Sequence, residues 1–322
     1  MNIKKIGLSA LAGSLVAFSA NAGEMSVAGS ASIAVEHTNG GFGNSGKTFS
    51  MGNQLTFSGS GELDNGLNVS LSFVLDQGDD KTTTGAGANT PINANSPFDS
   101  HSVTISSEGL GSLTFAGEGG SSATSALDGT AAGDIWDNFD GSGDITPTAV
   151  GTGNNMFNYS LPSIADGLAV NVSYLPTGSA AESAVGYSAT YSGIDGLSVS
   201  YGAGDGTNDT TDATAMKASY AYGPVTVAYS NYEYDASGTS ADNETTSFKI
   251  SYTVSDEISI SYGEETIEEG TSLDVETKAI SASYTTGGMT ITAATNEIEN
   301  SAGTTAATED RERWALSASF AF

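Results

Sequence analysis

The sequence predicts an all-β protein, a transmembrane antiparallel β-barrel of about 16 strands. Three observations predict it. Short segments of alternating apolar and polar residues repeat along most of the chain, and only 15% of residues are charged although Gly, Ser and Thr are abundant. No segment approaches the ~18 consecutive apolar residues of a membrane-spanning helix. If this chain enters a membrane, strands must cross it, because only helices and closed barrels satisfy every backbone hydrogen bond there.

The first residues predict a signal for export. Lys4 and Lys5 precede an apolar stretch at about 6–18, and the Ala-Asn-Ala at 20–22 is a small-residue cleavage site. The apolar stretch is shorter than the ~20 residues that a spanning helix needs. We therefore expect residues 1–22 to be a signal peptide.

Composition excludes several classes of function. The chain has no cysteine, which removes thiol catalysis and cysteine-ligated zinc. Without Lys4 and Lys5 the basic residues number 9 − 2 = 7 against 38 acidic ones, so the formal charge is 7 − 38 = −31. Such a surface repels nucleic acid and attracts cations.

Sixteen alternating segments are separated by turn residues, and tight turns alternate with longer polar connections. An even number of strands with this alternation is typical of a bacterial outer-membrane barrel, so we expect residues 23–322 to form one domain. The segments start near Glu24, Lys47, Leu67, Ser100, Ser112, Asn155, Leu168, Ser183, Leu197, Ala213, Val225, Thr245, Glu257, Leu273, Met289 and Arg311.

The two phases of each segment predict two faces. The apolar phase carries aromatic rings near strand ends, where they would form an interfacial girdle: Tyr159, Tyr174, Tyr191, Tyr220, Tyr222, Tyr252, Tyr284 and Phe320. The polar phase would line a water-filled interior, because a barrel of this strand number is too wide for side chains to fill. Its predicted lining residues are Ser30, Ser32, Gln54, Thr56, Ser70, Ser72, Asn158, Ser160, Ser219 and Ser251.

One connection is far longer than the others. Residues 119–153 lie between two strands, which is well beyond an ordinary hairpin connection. A loop of this length is usually functional or disordered. Leu127, Ile135 and Trp136 give it apolar anchoring residues, so we expect a folded element packed against a wall.

The signal peptide, the repeated hairpins, the long third outer loop and the ending WALSASFAF, with an aromatic Phe322 at the carboxyl terminus, together resemble the Gram-negative trimeric general porins. The resemblance covers essentially the whole mature chain. It implies a sixteen-stranded homotrimeric channel of the bacterial outer membrane, with a constriction loop folded into each pore and Phe322 as part of an assembly signal. Its implied partners are membrane lipid, lipopolysaccharide, and the small hydrophilic solutes and ions that diffuse through.

Charged residues at the constriction would set selectivity. The candidate acids are Glu118, Asp128, Asp134, Asp137, Asp140 and Asp144, and the inward bases are Lys217, Lys249, Arg311 and Arg313. The resemblance implies a basic cluster facing the loop acids, but no Lys or Arg lies between Lys81 and Lys217, so this chain departs from that pattern. We therefore predict a pore that prefers cations, although solvated loop charge explains the acids equally well.

Other chemistry is weakly supported. Asp137, Asp140 and Asp144 form a weak candidate site for a divalent ion such as structural calcium, but the spacing lacks the Glu that ends an EF-hand loop. We expect no other cofactor and no enzyme activity, because adjacent acids such as Glu264-Glu265 are usually solvated charge.

The alternatives to a general porin are a substrate-selective porin or, from another class, a secreted β-rich adhesin or surface-layer protein.

Overall fold

A computed structural model describes residues 24–40, 47–76, 99–139, 151–177, 183–206, 211–236, 242–270, 272–301, 303 and 310–322. The expected signal peptide at residues 1–22 lies outside the described residues, as do Asp140 and Asp144. No helix in the described ranges is long and apolar enough to cross a membrane.

Sixteen antiparallel strands form one closed sheet in which each strand pairs with its neighbours in sequence and β1 pairs with β16. The predicted barrel is confirmed, and every strand begins within two residues of its predicted start. The strands are β1 Glu24–Asn39, β2 Lys47–Glu62, β3 Asn68–Asp76, β4 Ser100–Ser107, β5 Gly111–Glu118, β6 Met156–Ser160, β7 Leu168–Leu175, β8 Ala184–Tyr191, β9 Leu197–Asp205, β10 Thr211–Tyr222, β11 Val225–Ala236, β12 Asn243–Thr253, β13 Ile258–Glu269, β14 Val275–Thr286, β15 Met289–Glu299 and β16 Arg311–Ala321.

The two ends of the barrel differ. At one end, here called the turn end, the connections are short, as at Gly223-Pro224 and Gly287-Gly288. Gly223 and Gly287 have φ of 57° and 56°, in the left-handed region that glycine adopts without a Cβ penalty. At the opposite, loop end, the connections are longer, and the longest runs between β5 and β6.

Directly paired residues point to the same side of the sheet, so the register extends each phase around the whole barrel. Ser30 pairs with Gln54 on the polar phase, and Ala31 pairs with Asn53 on the other. The polar phase contacts the long loop and is the inner surface. The outer surface is rich in exposed apolar and aromatic side chains, including all eight of the predicted girdle residues.

Two short 3-10 helices, Ser125–Leu127 and Ile135–Asn138, lie in the β5–β6 connection. They contribute to the apolar clusters of the barrel interior: the partly buried Leu127 packs against the cluster of Tyr232, and the buried Ile135 packs with Ile267 and Ile298. The interior is therefore filled on one side by the loop and not by a central core.

Candidate functional site

The β5–β6 connection enters the barrel through a narrow base, and we call residues 119–153 the pore loop. Gly120 and Gly153 form an isolated antiparallel bridge, with the Gly153 N–H donating to the Gly120 carbonyl over 3.1 Å. The Asn154 side chain accepts a hydrogen bond from the Gly119 N–H at 3.2 Å. The two ends of the loop are thus joined where they leave the wall, and the described residues 121–139 extend from this base into the barrel.

The first arm of the pore loop lies against β7 to β10. The Ala123 N–H donates to the Ser173 hydroxyl over 2.9 Å, which fixes the arm to β7. Gly204 on β9 leaves the space that the loop occupies, since a Cβ there would lie 2.6 Å from the Thr124 hydroxyl. The loop can therefore lie close to β9 because Gly204 has no side chain.

The middle of the loop crosses β11 to β13 in the same way. The Ala131 N–H donates to the Ser230 hydroxyl over 2.8 Å and the Ala132 N–H donates to the Ser247 hydroxyl over 2.9 Å. A Cβ at Gly263 would lie 2.7 Å from the Ala132 Cβ, so this position also requires a minimal side chain. The loop therefore lies along inward serine and glycine positions of the wall. Nothing in the sequence distinguishes these positions from other Ser and Gly residues of the strands.

The strongest anchor of the loop is the carboxylate of Glu265 on β13, which is buried. One oxygen accepts a hydrogen bond from the Thr130 hydroxyl, and the other accepts from the Trp136 N–H at 3.2 Å and from the Thr277 hydroxyl at 3.2 Å. We expected Glu264-Glu265 to be solvated charge, and for Glu265 that expectation is wrong. Strand alternation sends Glu264 outward and Glu265 into the barrel beneath the loop.

An apolar contact completes the attachment. Ile135 and Phe139 of the loop are buried with Ile267 of β13, Val275 of β14 and Ile298 of β15. The predicted apolar anchoring of the loop therefore rests on Ile135 more than on Trp136, which is only half-buried at the edge of this cluster. The loop is consequently packed against half of the barrel wall.

The described loop acids differ in their surroundings. Asp134 helps to fold the loop, because its carboxylate accepts the Thr130 N–H at 2.9 Å. Burial and the neighbouring charge of Asp134 raise the pKa of Asp128, although Lys217 and backbone N–H groups partly oppose that shift. Asp137 is exposed on the second 3-10 helix. Asp137 is therefore the described loop acid that is exposed to solvent, whereas Asp128 is half-buried.

Two of the predicted pore-lining bases hold the loop backbone. The Lys217 ammonium on β10 donates to the Gly129 carbonyl, and the Lys249 ammonium on β12 donates to the Ala132 carbonyl at 3.4 Å. Both side chains thus face inward, as their strand phase predicts, and both end against the loop.

The two arginines of β16 also contact the loop. The Arg313 guanidinium forms an ion pair with Glu36 of β1, with an Nε–Oε2 distance of 3.1 Å, and donates to the Asn138 side chain over 3.0 Å. Arg311 is buried, with its guanidinium carbon 5.7 Å from the centre of the Phe139 ring. All four predicted bases therefore lie on the side of the barrel that carries the loop.

The opposite wall has a different character. The inward positions of β2 to β5 hold mainly Ser, Thr and Gly, and across the described residues of these strands none is Lys or Arg. Glu118 lies here beside the first arm of the loop, 3.8 Å from the His101 ring nitrogen. Asp76, paired with Gln54 on the inward phase of β3, is an acid that our sequence reasoning missed. Asp76 shares the inward phase of β3 with Ser70 and Ser72, so strand alternation predicts that its side chain faces the lumen.

Comparison with known proteins agrees with this architecture. The family model of the Gram-negative porins matches residues 7–269, which is well over half of the chain. The chain belongs to the Gram-negative porin family. A search of curated proteins gives no match. The family and the barrel together place this porin in the bacterial outer membrane and point to a channel.

Solved structures of porins share the fold at low sequence identity. The OmpF of Salmonella typhi, in a complex with daunomycin, has a TM-score of 0.69 and 13% identity over 94% of this chain and 98% of that one. The anion-selective porin of Comamonas acidovorans has a TM-score of 0.64 and 14% identity over 93% of this chain and all of the other (100%). A loop-deleted OmpT of Vibrio cholerae has a TM-score of 0.66 and 15% identity, with coverage of 94% and 100%. These likenesses concern the fold alone.

The weak calcium prediction stays a prediction. Of its three acids, the structure describes Asp137 alone, because Asp140 and Asp144 lie outside the described residues. Within the ranges that are described, no group of three or more metal-ligating side chains is close enough to hold an ion. The contacts described above that hold residues 119–139 to the wall are hydrogen bonds and apolar packing.

Proposed function

We propose that this porin forms a water-filled channel for passive diffusion of small hydrophilic solutes and ions, and that the channel prefers cations. The observation that carries the proposal is the distribution of inward charge. Acids stand on both sides of the lumen, at Asp128 and Asp137 of the loop and at Asp76 and Glu118 of the facing wall, while the bases lie on the loop side.

The positions of the bases reduce their effect on a passing ion. Arg313 is paired with Glu36, so the two charges largely cancel at a distance. Lys217 and Lys249 donate to carbonyl groups of the loop, which keeps their ammonium groups against the loop backbone. Lys217 also lies close enough to Asp128 to influence its charge.

A transverse field of the kind that the resemblance implied needs bases opposite the loop acids. The described inward positions of β2 to β5 supply acids and hydroxyls in their place. A lumen with negative charge on both sides raises the local concentration of cations and lowers that of anions. Selection by size would then follow from how far the loop extends across the interior.

Reversal potentials in planar bilayers under a salt gradient test the proposal. We expect the sign that reports cation preference, and we expect a smaller preference for the Asp76→Asn, Glu118→Gln double variant. Glu264→Gln is the matched control, because it removes one outward acid and leaves the lumen unchanged. A wild-type channel that prefers anions would contradict the proposal.

The remaining partners belong to the same proposal. We infer a homotrimer surrounded by membrane lipid and lipopolysaccharide, in keeping with the family. An SDS-resistant band of three chains that dissociates on heating would support the trimer. A channel whose conductance saturates with one solute would favour the substrate-selective alternative.

A further inference from the structure

A cavity lies beneath the pore loop, on the side that faces the turn end of the barrel. Its volume is about 250 Å³, which is room for roughly eight water molecules at ~30 Å³ each. Loop residues in the range 132–138 cover it, and inward residues of β12 to β16 form its floor. The floor is recessed because many of its positions are small, namely Gly263, Ala279, Ala294 and Ala315. A small solute that enters the lumen therefore fits under the loop.

The cavity has an unusual charge for this chain. One row of directly paired inward positions crosses its floor, in the order Lys249, Gly263, Ala279, Asn296 and Arg313, so a base stands at each end. Outside the expected signal peptide the chain has 9 − 2 = 7 basic residues, and two of them line this cavity. Among the described residues that line it, none is Asp or Glu. In a chain with 38 acidic residues, this is a place that attracts an anionic group.

The two bases differ in how far their donors are used. Arg313 forms its ion pair with Glu36 and donates to the Asn138 side chain, so its charge is already balanced. The Lys249 ammonium donates to the Ala132 carbonyl at 3.4 Å, and it forms no ion pair within the described ranges. An ammonium group carries three donors. Lys249 therefore brings one net positive charge and unused donors to the cavity.

Hydroxyl groups cover the part of the floor nearer the turn end. Ser261 lies on the inward phase of β13 and pairs with Ser281, with 2.8 Å between the hydroxyl oxygens. Thr292 and Ser317 form the next hydroxyl pair, on β15 and β16. Two hydroxyls that share one hydrogen bond still keep one free hydrogen and several lone pairs. The floor therefore offers donors and acceptors to the hydroxyl groups of a solute.

We propose that this cavity is a binding site for a small hydroxylated carboxylate, with the carboxylate on the Lys249 ammonium and the hydroxyl groups of the solute on the floor. One net positive charge matches one carboxylate. A phosphate monoester would bring up to about two negative charges close to the Glu36 carboxylate, so the site favours the carboxylate. The inference rests on the channel of the proposed function, since solutes reach the cavity through the lumen.

The site and the cation preference concern different parts of the interior. Small ions pass through the open lumen, where Asp76 and Glu118 stand on the facing wall. A solute under the loop is held at the other wall, beside their path. Binding in the cavity can therefore be measured without current, and the sign of the ion preference can be measured without the solute.

Isothermal titration calorimetry of the folded porin in detergent tests the site with gluconate, glucose and glucose 6-phosphate as probes. We expect gluconate to bind about tenfold or more tightly than glucose, because glucose lacks the charged hydrogen bond to Lys249. Lys249→Met should lower the gluconate affinity by a similar factor, and Lys249→Arg should retain most of it. Tighter binding of glucose 6-phosphate than of gluconate would overturn the assignment to a carboxylate.

The matched control for Lys249→Met is Lys278→Met. Lys278 lies on the outward phase of β14, paired with the outward Glu264, so the control removes the same charge and leaves the cavity unchanged. Equal gluconate affinities for these two variants would overturn the site.

A second pair of variants tests the cavity by shape. Ala294→Leu fills the floor and should abolish gluconate binding, whereas Ala293→Leu adds the same bulk to the outward face of β15 and should not. Heat-modifiable mobility reports whether each barrel is folded, and unchanged gluconate binding in a folded Ala294→Leu barrel would contradict the proposal. Reversal potentials in KCl without gluconate test the ion preference separately. Anion preference there, with gluconate binding intact, would refute the cation-preferring channel and leave the site standing.

Discussion

The Trp136 N–H donates a hydrogen bond of 3.2 Å to the Glu265 carboxylate, which joins the far part of the pore loop to the wall at β13. The other oxygen of the same carboxylate accepts from Thr130, six residues earlier in the loop. One buried side chain therefore holds two separate turns of the loop, and Thr277 of β14 donates to it from the neighbouring strand. This carboxylate is therefore one of the main anchors that hold the described part of the loop against the wall.

Replacing Glu265 by Gln is predicted to loosen the loop without opening the barrel. The amide presents one oxygen and one NH2 group to three donors, so at least one donor loses its acceptor, at a cost of roughly 1.5–3 kcal/mol for bonds to a charged group. Single-channel recordings should show larger current fluctuations than the wild type. Heat-modifiable mobility should stay that of a folded barrel.

The matched control is Glu264→Gln, the next residue along β13, whose side chain faces outward and is exposed. It removes the same charge and leaves the loop contacts untouched. Single-channel traces of the Glu265 variant that cannot be distinguished from those of the control would contradict the anchoring role.

The fold could be predicted because its signal is local. Alternation of apolar and polar residues between turns predicts each strand from its own segment of sequence. Each such signal is weak, but sixteen of them together indicate one closed barrel. The role of Glu265 could not be predicted in the same way. Glu264 and Glu265 are alike in the sequence, and the partners Thr130 and Trp136 lie 135 and 129 residues away.

The environment of the inward bases could likewise be predicted only in part from the sequence. Strand phase alone places Lys217 and Lys249 inside the barrel, and the structure agrees. Whether they face open lumen or the loop depends on the path of the loop, which follows the Ser and Gly positions of several strands at once. That path is a property of the assembled barrel, so no segment of sequence specifies it.

Asp128 is predicted to make cation preference depend on pH. Burial and Asp134 raise its pKa above that of an ordinary aspartate, so as pH falls Asp128 loses its charge before a fully solvated aspartate does. The cation preference, measured from reversal potentials at decreasing pH, should begin to decline above the usual titration range of Asp. Asp128→Asn should remove this first part of the decline.

Asp137→Asn serves as the comparison for Asp128→Asn, because Asp137 is an exposed acid on the same loop. It should lower the preference at neutral pH and leave the early decline in place. Equal pH profiles for the two variants would refute the assignment to Asp128.

Loss of Arg313 is predicted to destabilise the barrel more than loss of the whole ion pair. Arg313→Met leaves the Glu36 carboxylate buried without its partner, at a typical cost of about 3–5 kcal/mol. The Glu36→Gln, Arg313→Met double variant removes both charges and should recover a large part of that stability. Unfolding temperatures of the four proteins, followed by heat-modifiable mobility, form the double-mutant cycle. A double variant no more stable than Arg313→Met would show that the pair is not coupled.

The position of the Phe322 ring is predicted to require a residue without a side chain at position 29. Phe322 donates its N–H to the Gly29 carbonyl over 3.0 Å, and accepts the Gly29 N–H at 2.8 Å, where β16 meets β1. A Cβ at Gly29 would lie 2.7 Å from the ring Cζ of Phe322 and 3.0 Å from Leu55. Gly29→Ala should therefore displace the ring and lower the yield of folded barrel, measured as the heat-modifiable fraction after refolding into detergent.

Gly59→Ala is the control for Gly29→Ala, because the nearest atom to a Cβ at that position is 3.9 Å away on Met25 and the added methyl fits. Both glycines are outward, so the two variants add the same apolar group to the same face and differ only in their contact with Phe322. Combining Gly29→Ala with Phe322→Leu, which shortens the ring side chain, should restore part of the yield. Equal yields for the two alanine variants would mean that closure between β1 and β16 tolerates a displaced terminal ring.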